Sequence, residues 1–211
     1  MLIFCNNFYS KNLDIFVNRV TNQCYMLIQK NGTQSLIDLV KSNPTMFSIE
    51  SSDYLIKNGI KQITVFVRDP LPRVLSGLTT QMNLYGMSLK SVNDVLNNQE
   101  TFTIFDSHTV PQFWFMMKLS KNCKIEFKIE PMSMLKNVHP GIKQLNTNSV
   151  PIQLTDTIRD RLVHFYTEDI VLYNQFLNSS CRVDDVIDQI KLEKDFIDDI
   201  QQYRRELTYL L

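Results

Sequence analysis

Hydrophobic positions along the chain fall into short apolar runs separated by polar loops, and the period of each run names the element it forms. The first strong run is Cys24-Tyr25-Met26-Leu27-Ile28. It ends at a polar loop, Gln29 to Ser35, after which Leu36, Ile37, Leu39 and Val40 recur at helical spacing. This predicts a strand, a tight loop and a helix. Upstream, Leu13, Ile15, Phe16, Val17 and Val20 fit a helix or a strand equally well, and residues 45–49 suit a short strand. The segment Ile60 to Val67 is rich in β-branched side chains and predicts a buried central strand. Pro70 and Pro72 end it. Proline cannot continue a central strand but is welcome at a helix start, so a helix through Val74, Leu75, Leu78 and Met82 follows.

Residues 86–100 read as a polar surface excursion with a short helix. Val110, Phe113, Trp114, Met117 and Leu119 predict a helix over 110–121 with Pro111 near its first turn. Cys123 to Ile129 alternates as a strand that Glu130-Pro131 closes. Alternating strands and helices predict an α/β fold, with a central parallel sheet flanked by helices in a P-loop-like, three-layer arrangement. From Thr155 the apolar positions Ile158, Leu162, Phe165, Tyr166, Ile170, Tyr173 and Leu177 hold one helical face. A last helix is expected from about Val183 to Leu207, laid on the domain surface; a homodimer contact is the alternative use of its apolar stripe. The 211 residues suit a single domain, 1–211, whose C-terminal helical portion begins near 155.

Composition changes this picture little. Hydrophobic residues make up 44% and charged residues 21%, ordinary for a globular domain. Charge is more informative. The net charge is zero, but residues 1–150 carry 15 Lys/Arg against 10 Asp/Glu, and residues 151–211 carry 7 against 12. A mildly basic body with an acidic tail suits a small anionic ligand and lacks the dense basic face of a nucleic-acid binder. The cysteines, Cys5, Cys24, Cys123 and Cys181, form no C-x-x-C pair and stand at no metal-ligand spacing from a histidine. They read as reduced thiols, and no cluster calls for a metal. Met1 to Phe4 is too short for a signal peptide, and no apolar run reaches the length of a membrane span. These features point to the cytoplasm.

Two loops carry candidate chemistry. In the first, Lys30, Asn31, Gly32, Thr33, Gln34 and Ser35 lie between a strand end and a helix N-terminus, where unpaired N–H groups and the helix dipole attract anions. Gly32 allows close backbone approach, Lys30 adds charge, and Thr33 and Ser35 add hydroxyls. The lysine precedes the only glycine, so this is not a Walker A loop. In the second, Arg68 stands at the carboxyl end of a predicted strand, where open parallel sheets bind ligands. Its guanidinium suits bidentate phosphate contact, and Ser76, two helical turns on, can present a hydroxyl to the same anion. Asp69 reads alternatively as a helix cap, and Arg73 as a solvated side chain. Phe113, Trp114 and Phe115 suit core packing better than an acceptor platform.

Taken together, the two loops resemble those of sulfotransferases that use 3′-phosphoadenosine 5′-phosphosulfate, in particular the carbohydrate sulfotransferase branch. Gln29 to Ser35 is similar to P-K-x-G-x-[ST]-[ST] at Lys30, Gly32 and Ser35, and Arg68 to Ser76 is similar to R-D-P-x-x-R-x-x-S at every fixed position. Asp106 to Gln112 resembles D-x-H-W-x-P-Q, with Thr109 in place of Trp, and Tyr166, Asp169 and Tyr173 resemble Y-x-x-D-x-x-x-[FY]. Asn146 to Ser149 is similar to a short N-x-S segment of the family, and a polar loop is an equal reading. The resemblance implies a 5′-phosphosulfate site at Lys30 to Ser35 and a 3′-phosphate site at Arg68 and Ser76. It implies sulfuryl transfer to a hydroxyl acceptor, a small molecule or a glycan, with Lys30 and His108 as catalytic groups and no metal. His108 is the expected base because histidine titrates near neutrality. Two other readings stand beside it: a nucleotide-binding protein that has lost catalysis, favoured by the departures at Gln29 and Gln34, and a P-loop kinase, disfavoured by the missing Walker A Lys-Ser/Thr pair.

Overall fold

A computed structural model describes residues 13–86, 88, 90, 108–138, 142, 152 and 154–177. Most of the expected excursion over 86–100, the segment Asn146 to Ser149, the helix from Val183, and Cys5, Cys181, Asp106 and His139 lie outside the described residues.

Among the described residues five strands form one sheet: β1 (Asp14–Asn18), β2 (Gln23–Met26), β3 (Phe47–Ser51), β4 (Gln62–Val67) and β5 (Glu126–Pro131), in the order β3-β1-β2-β4-β5. The helices are α1 (Thr33–Ser42), α2 (Asp53–Lys57), α3 (Pro70–Tyr85), α4 (Gln112–Asn122), α5 (Leu135–Val138), α6 (Asp156–Phe165) and α7 (Thr167–Leu177). The chain is therefore α/β, but its sheet is mixed, which corrects the expected parallel sheet. β2, β4 and β5 are parallel, while β1 pairs antiparallel with both β2 and β3. The cause is local. The Asn18 side chain accepts hydrogen bonds from the N–H groups of Val20 and Thr21 at 3.0 and 3.2 Å, and Asn22 takes a φ of +54°. These close a tight turn between β1 and β2, which forces antiparallel pairing.

Side chains alternate across the sheet as strand geometry requires. Ile15, Val17, Cys24, Met26, Ile63, Val65 and Val67 face a core shared with α4 and Leu172 of α7. Phe16, Tyr25 and Phe66 face the other way, against Leu36 and Leu39 of α1 and Leu135. Helices thus cover both faces. Val74, Leu78 and Met82 of α3 pack against Ile158, Leu162 and Tyr166 in a separate cluster. Phe113, Trp114 and Phe115 are core residues.

Two further boundaries differ from expectation. Pro131 is part of β5, opposite Val67; it is tolerated because β5 is the outer strand of the described sheet. The helical stretch from Thr155 is two helices that break at Tyr166, whose hydroxyl donates to the Thr109 carbonyl. Thr155 caps the first of them by accepting from Ile158 N–H. No helix among the described residues is long and apolar enough to cross a membrane.

Candidate functional site

The candidate residues meet at the carboxyl ends of β2 and β4. After β2 the chain passes through Leu27 and Ile28 into the Lys30 loop and starts α1 at Gly32. Gly32 has a φ of +81°, and a side chain there would collide with Leu135. Its lack of a Cβ is thus needed by the fold itself. Lys30 also sits in the left-handed region, at φ +70°, where a non-glycine residue is strained. Its ammonium donates to Thr80 Oγ1 on α3, and Thr80 in turn donates to the Ser76 carbonyl at 3.2 Å. Lys30 therefore lies within one helical turn of Ser76.

Within the first loop, two of the expected contact residues turn inward. Asn31 is only 3% exposed, and its Nδ2 donates to Phe66 O at 2.7 Å and to Gln112 Oε1 at 2.6 Å. The Thr33 hydroxyl donates to Ile28 O at 2.7 Å. Gln34 is exposed and donates to Asp38 at 2.9 Å, and Ser35 is half-buried. The first turn of α1 has no side-chain cap and no acidic residue. Its leading N–H groups have no intrahelical acceptor.

The second loop keeps its charge available. Arg68 is half-buried, yet its guanidinium has no hydrogen-bond partner among the described residues, while its backbone N–H and C=O are both held by Gln112. Burial pulls the Arg68 pKa down from its ordinary value, and the neighbouring Asp69 carboxylate works against that shift. Asp69 also caps α3, accepting from Leu71 N–H at 3.1 Å. Ser76 is half-buried on α3. The next residue, Gly77, lies so close to the His108 segment that a Cβ there would sit 2.6 Å from the His108 carbonyl oxygen. His108 is half-buried beside α3, and His164 is exposed on α6.

Arg73 is not a solvated side chain. It is fully buried, donating from Nε to Gln29 O at 3.2 Å and from Nη1 to Val110 O at 2.7 Å. Arg73, Ser76, Gly77 and Thr80 share one face of α3 by their spacing. That face meets the Lys30 loop on one side and the 108–110 segment on the other. Asp169, fully buried on α7, accepts from Gln112 N–H at 2.7 Å and Phe113 N–H at 2.8 Å. Burial raises the Asp169 pKa; the Arg73 charge and the bonds from Gln112 and Phe113 oppose the rise.

Arg73, Thr80, Gln112 and Asp169 were not expected as site residues. A signal existed for each: Arg73, Gln112 and Asp169 are fixed positions of the stretches that resemble the sulfotransferases, without a role assigned to them there. Asp169 interrupts an apolar helical face, and Thr80 repeats the Ser76 position one turn on. Among the described residues, no group of three His, Cys, Asp or Glu side chains could hold a metal ion. Comparison with known proteins adds nothing to this geometry: no family model, no curated protein and no solved structure matches the chain.

Proposed function

We propose that the chain binds a 3′-phosphoadenosine nucleotide at the carboxyl ends of β2 and β4, and transfers a sulfuryl group from 3′-phosphoadenosine 5′-phosphosulfate to a hydroxyl of a small-molecule or glycan acceptor. The observation that carries the reading is Arg68, a half-buried guanidinium with no hydrogen-bond partner among the described residues, at the end of a parallel strand. Burying such a charge is costly unless an anion completes it. Support comes also from the four sequence stretches that resemble the sulfotransferases. Lys30, Arg68 to Ser76, Thr109 to Gln112 and Tyr166 to Asp169 are joined by hydrogen bonds at one sheet edge.

The proposed roles follow from the chemistry of each group. Arg68 and the Ser76 hydroxyl hold the 3′-phosphate. Lys30 and the leading N–H groups of α1 stabilise charge on the departing 5′-phosphate oxygen. His108 takes the proton of the attacking hydroxyl. One sulfur–oxygen bond forms to the acceptor as the bond to the phosphate breaks, leaving a sulfate ester and 3′,5′-bisphosphoadenosine. A P-loop-like ancestry of the sheet and a cytoplasmic setting belong to the same proposal.

One observation favours a second reading, binding without turnover. The Asn31 and Thr33 side chains serve the fold, and the Lys30 amine is already engaged by Thr80. A transfer assay with labelled donor and a panel of glycans and small alcohols separates the two. Turnover that is lost in Lys30→Ala and His108→Ala supports the transferase. Binding of the bisphosphate with no transfer to any acceptor supports the second reading. Equal thermal stabilisation by 3′,5′-bisphosphoadenosine and by ADP with magnesium sinks the 3′-phosphate assignment.

A further inference from the structure

The Gln112 carboxamide occupies an unusual position for a side chain that touches no solvent. It is 1% exposed, and every polar atom of it is bonded. Its Oε1 accepts from Arg68 N–H at 2.9 Å and from Asn31 Nδ2 at 2.6 Å. Its Nε2 donates to Arg68 O at 2.8 Å and, more weakly, to Asp169 at 3.4 Å. Gln112 thus satisfies the Arg68 backbone just beyond the last paired residues of β4, as a neighbouring strand would. The same amide ties that strand end to Asn31, the residue after Lys30.

Resting on the 3′-phosphoadenosine reading, we infer that Gln112 is a positioning residue that fixes the spacing between the Lys30 loop and the Arg68 strand end, so that one ligand carrying two phosphates engages both. The physical basis is effective concentration. When two subsites are held at a set separation, the second phosphate binds as an intramolecular event, and a bisphosphate gains far more than either phosphate alone. A loose link between the subsites forfeits that gain without removing either anion contact. Gln112 reaches no ligand; it acts through Asn31 and Arg68. Its bonds to Asp169 fix it in turn to α7, so the link is anchored on a buried carboxyl group of a neighbouring helix.

The test uses three probes on the full chain: 3′,5′-bisphosphoadenosine, adenosine 3′-monophosphate and adenosine 5′-monophosphate. Binding of each is measured by calorimetry for the wild type, for Gln112→Asn, whose shorter arm cannot span both partners, and for Asn31→Ser, which cuts the loop link but leaves Gln112 on Arg68. In the wild type the bisphosphate binds on the order of 100-fold more tightly than either monophosphate. In both variants that advantage falls roughly tenfold, while monophosphate affinities change by less than about threefold. An equal loss for all three probes, or an unchanged advantage, overturns the inference. So does loss of a cooperative melt in both variants, which assigns the network a purely structural role. Failure of the wild type to bind the bisphosphate is a separate result: it sinks the functional reading itself, before any variant is compared.

Discussion

Helices α1 and α4 both begin beyond the carboxyl ends of the parallel strands, yet their N-termini are treated in opposite ways. At α4 the fold supplies its own anion. Asp169, fully buried, accepts from the first two N–H groups of the helix. At α1 there is no side-chain cap and no acid in the first turn, and a lysine stands two residues before the N-cap glycine. One terminus is closed by a carboxylate from within the chain, and the other has no acidic side chain in its first turn and a lysine in the loop before it. Helix dipoles favour an anion at each. The contrast separates stability from function: the α4 anion holds helices and loops together, and the α1 anion is proposed to come from the ligand.

The largest effect should come from removing the internal anion. Asp169→Ala leaves two backbone N–H groups unpaired and the buried Arg73 without its nearby opposite charge. It is expected to cost about 3–5 kcal/mol of folding stability, read from urea unfolding. A loss below about 1 kcal/mol would show that the carboxylate is not the keystone described here. Next is Arg68→Ala. Its guanidinium makes no hydrogen bond among the described residues, so stability should stay within about 0.5 kcal/mol of wild type while bisphosphate affinity falls on the order of 100-fold. Stability loss comparable to that of Asp169→Ala would place Arg68 on the structural side of the comparison. Lys30→Ala should weaken binding by roughly tenfold, an effect that shrinks as salt is raised.

The smallest effect concerns Cys24, under the sheet and away from both helix termini. Burial pushes its thiol from an ordinary value near 9 up to about 11. The folded state therefore holds this proton more tightly than the unfolded chain. Its contribution is complete below pH 9 and is lost as pH rises toward 11. Cys24→Ala should flatten that decline in an alkaline unfolding series; an unchanged slope would assign the decline to other groups. Native Cys24 should also resist alkylation at pH 8, where the half-buried Cys123 reacts first.

Where the sequence carried its own local signal, elements were legible. Ile63 to Val67 and the proline pair after it marked β4 and the start of α3, because β-branched runs and proline act within a few residues. The β1–β2 hairpin was not legible, since residues 13–20 fit two periods and the decision rests on the Asn18 side chain folding back on its own turn. The site divides similarly. Arg68, Lys30 and Ser76 stand where loop position suggested, at strand ends and on the following helix. The network that holds them was hidden because its partners are distant in sequence: Asn31 and Gln112 are 81 residues apart, and Gln112 and Asp169 are 57 apart. Arg73 illustrates the limit. Its place in the R-D-P-x-x-R-x-x-S stretch marks the position but does not say that the side chain is buried and clamps Gln29 and Val110, whose carbonyls come to it only through the fold.

The central claim is that the fold leaves an anion site open at Arg68 and the α1 N-terminus for a nucleotide bearing a 3′-phosphate. Calorimetric titration of wild type and Arg68→Ala with 3′,5′-bisphosphoadenosine and with adenosine 5′-monophosphate tests it most directly. The account predicts that the bisphosphate binds wild type far more tightly than the monophosphate and that Arg68→Ala removes most of that difference. Equal affinity of the wild type for both nucleotides, or a preference that survives loss of the guanidinium, would contradict it.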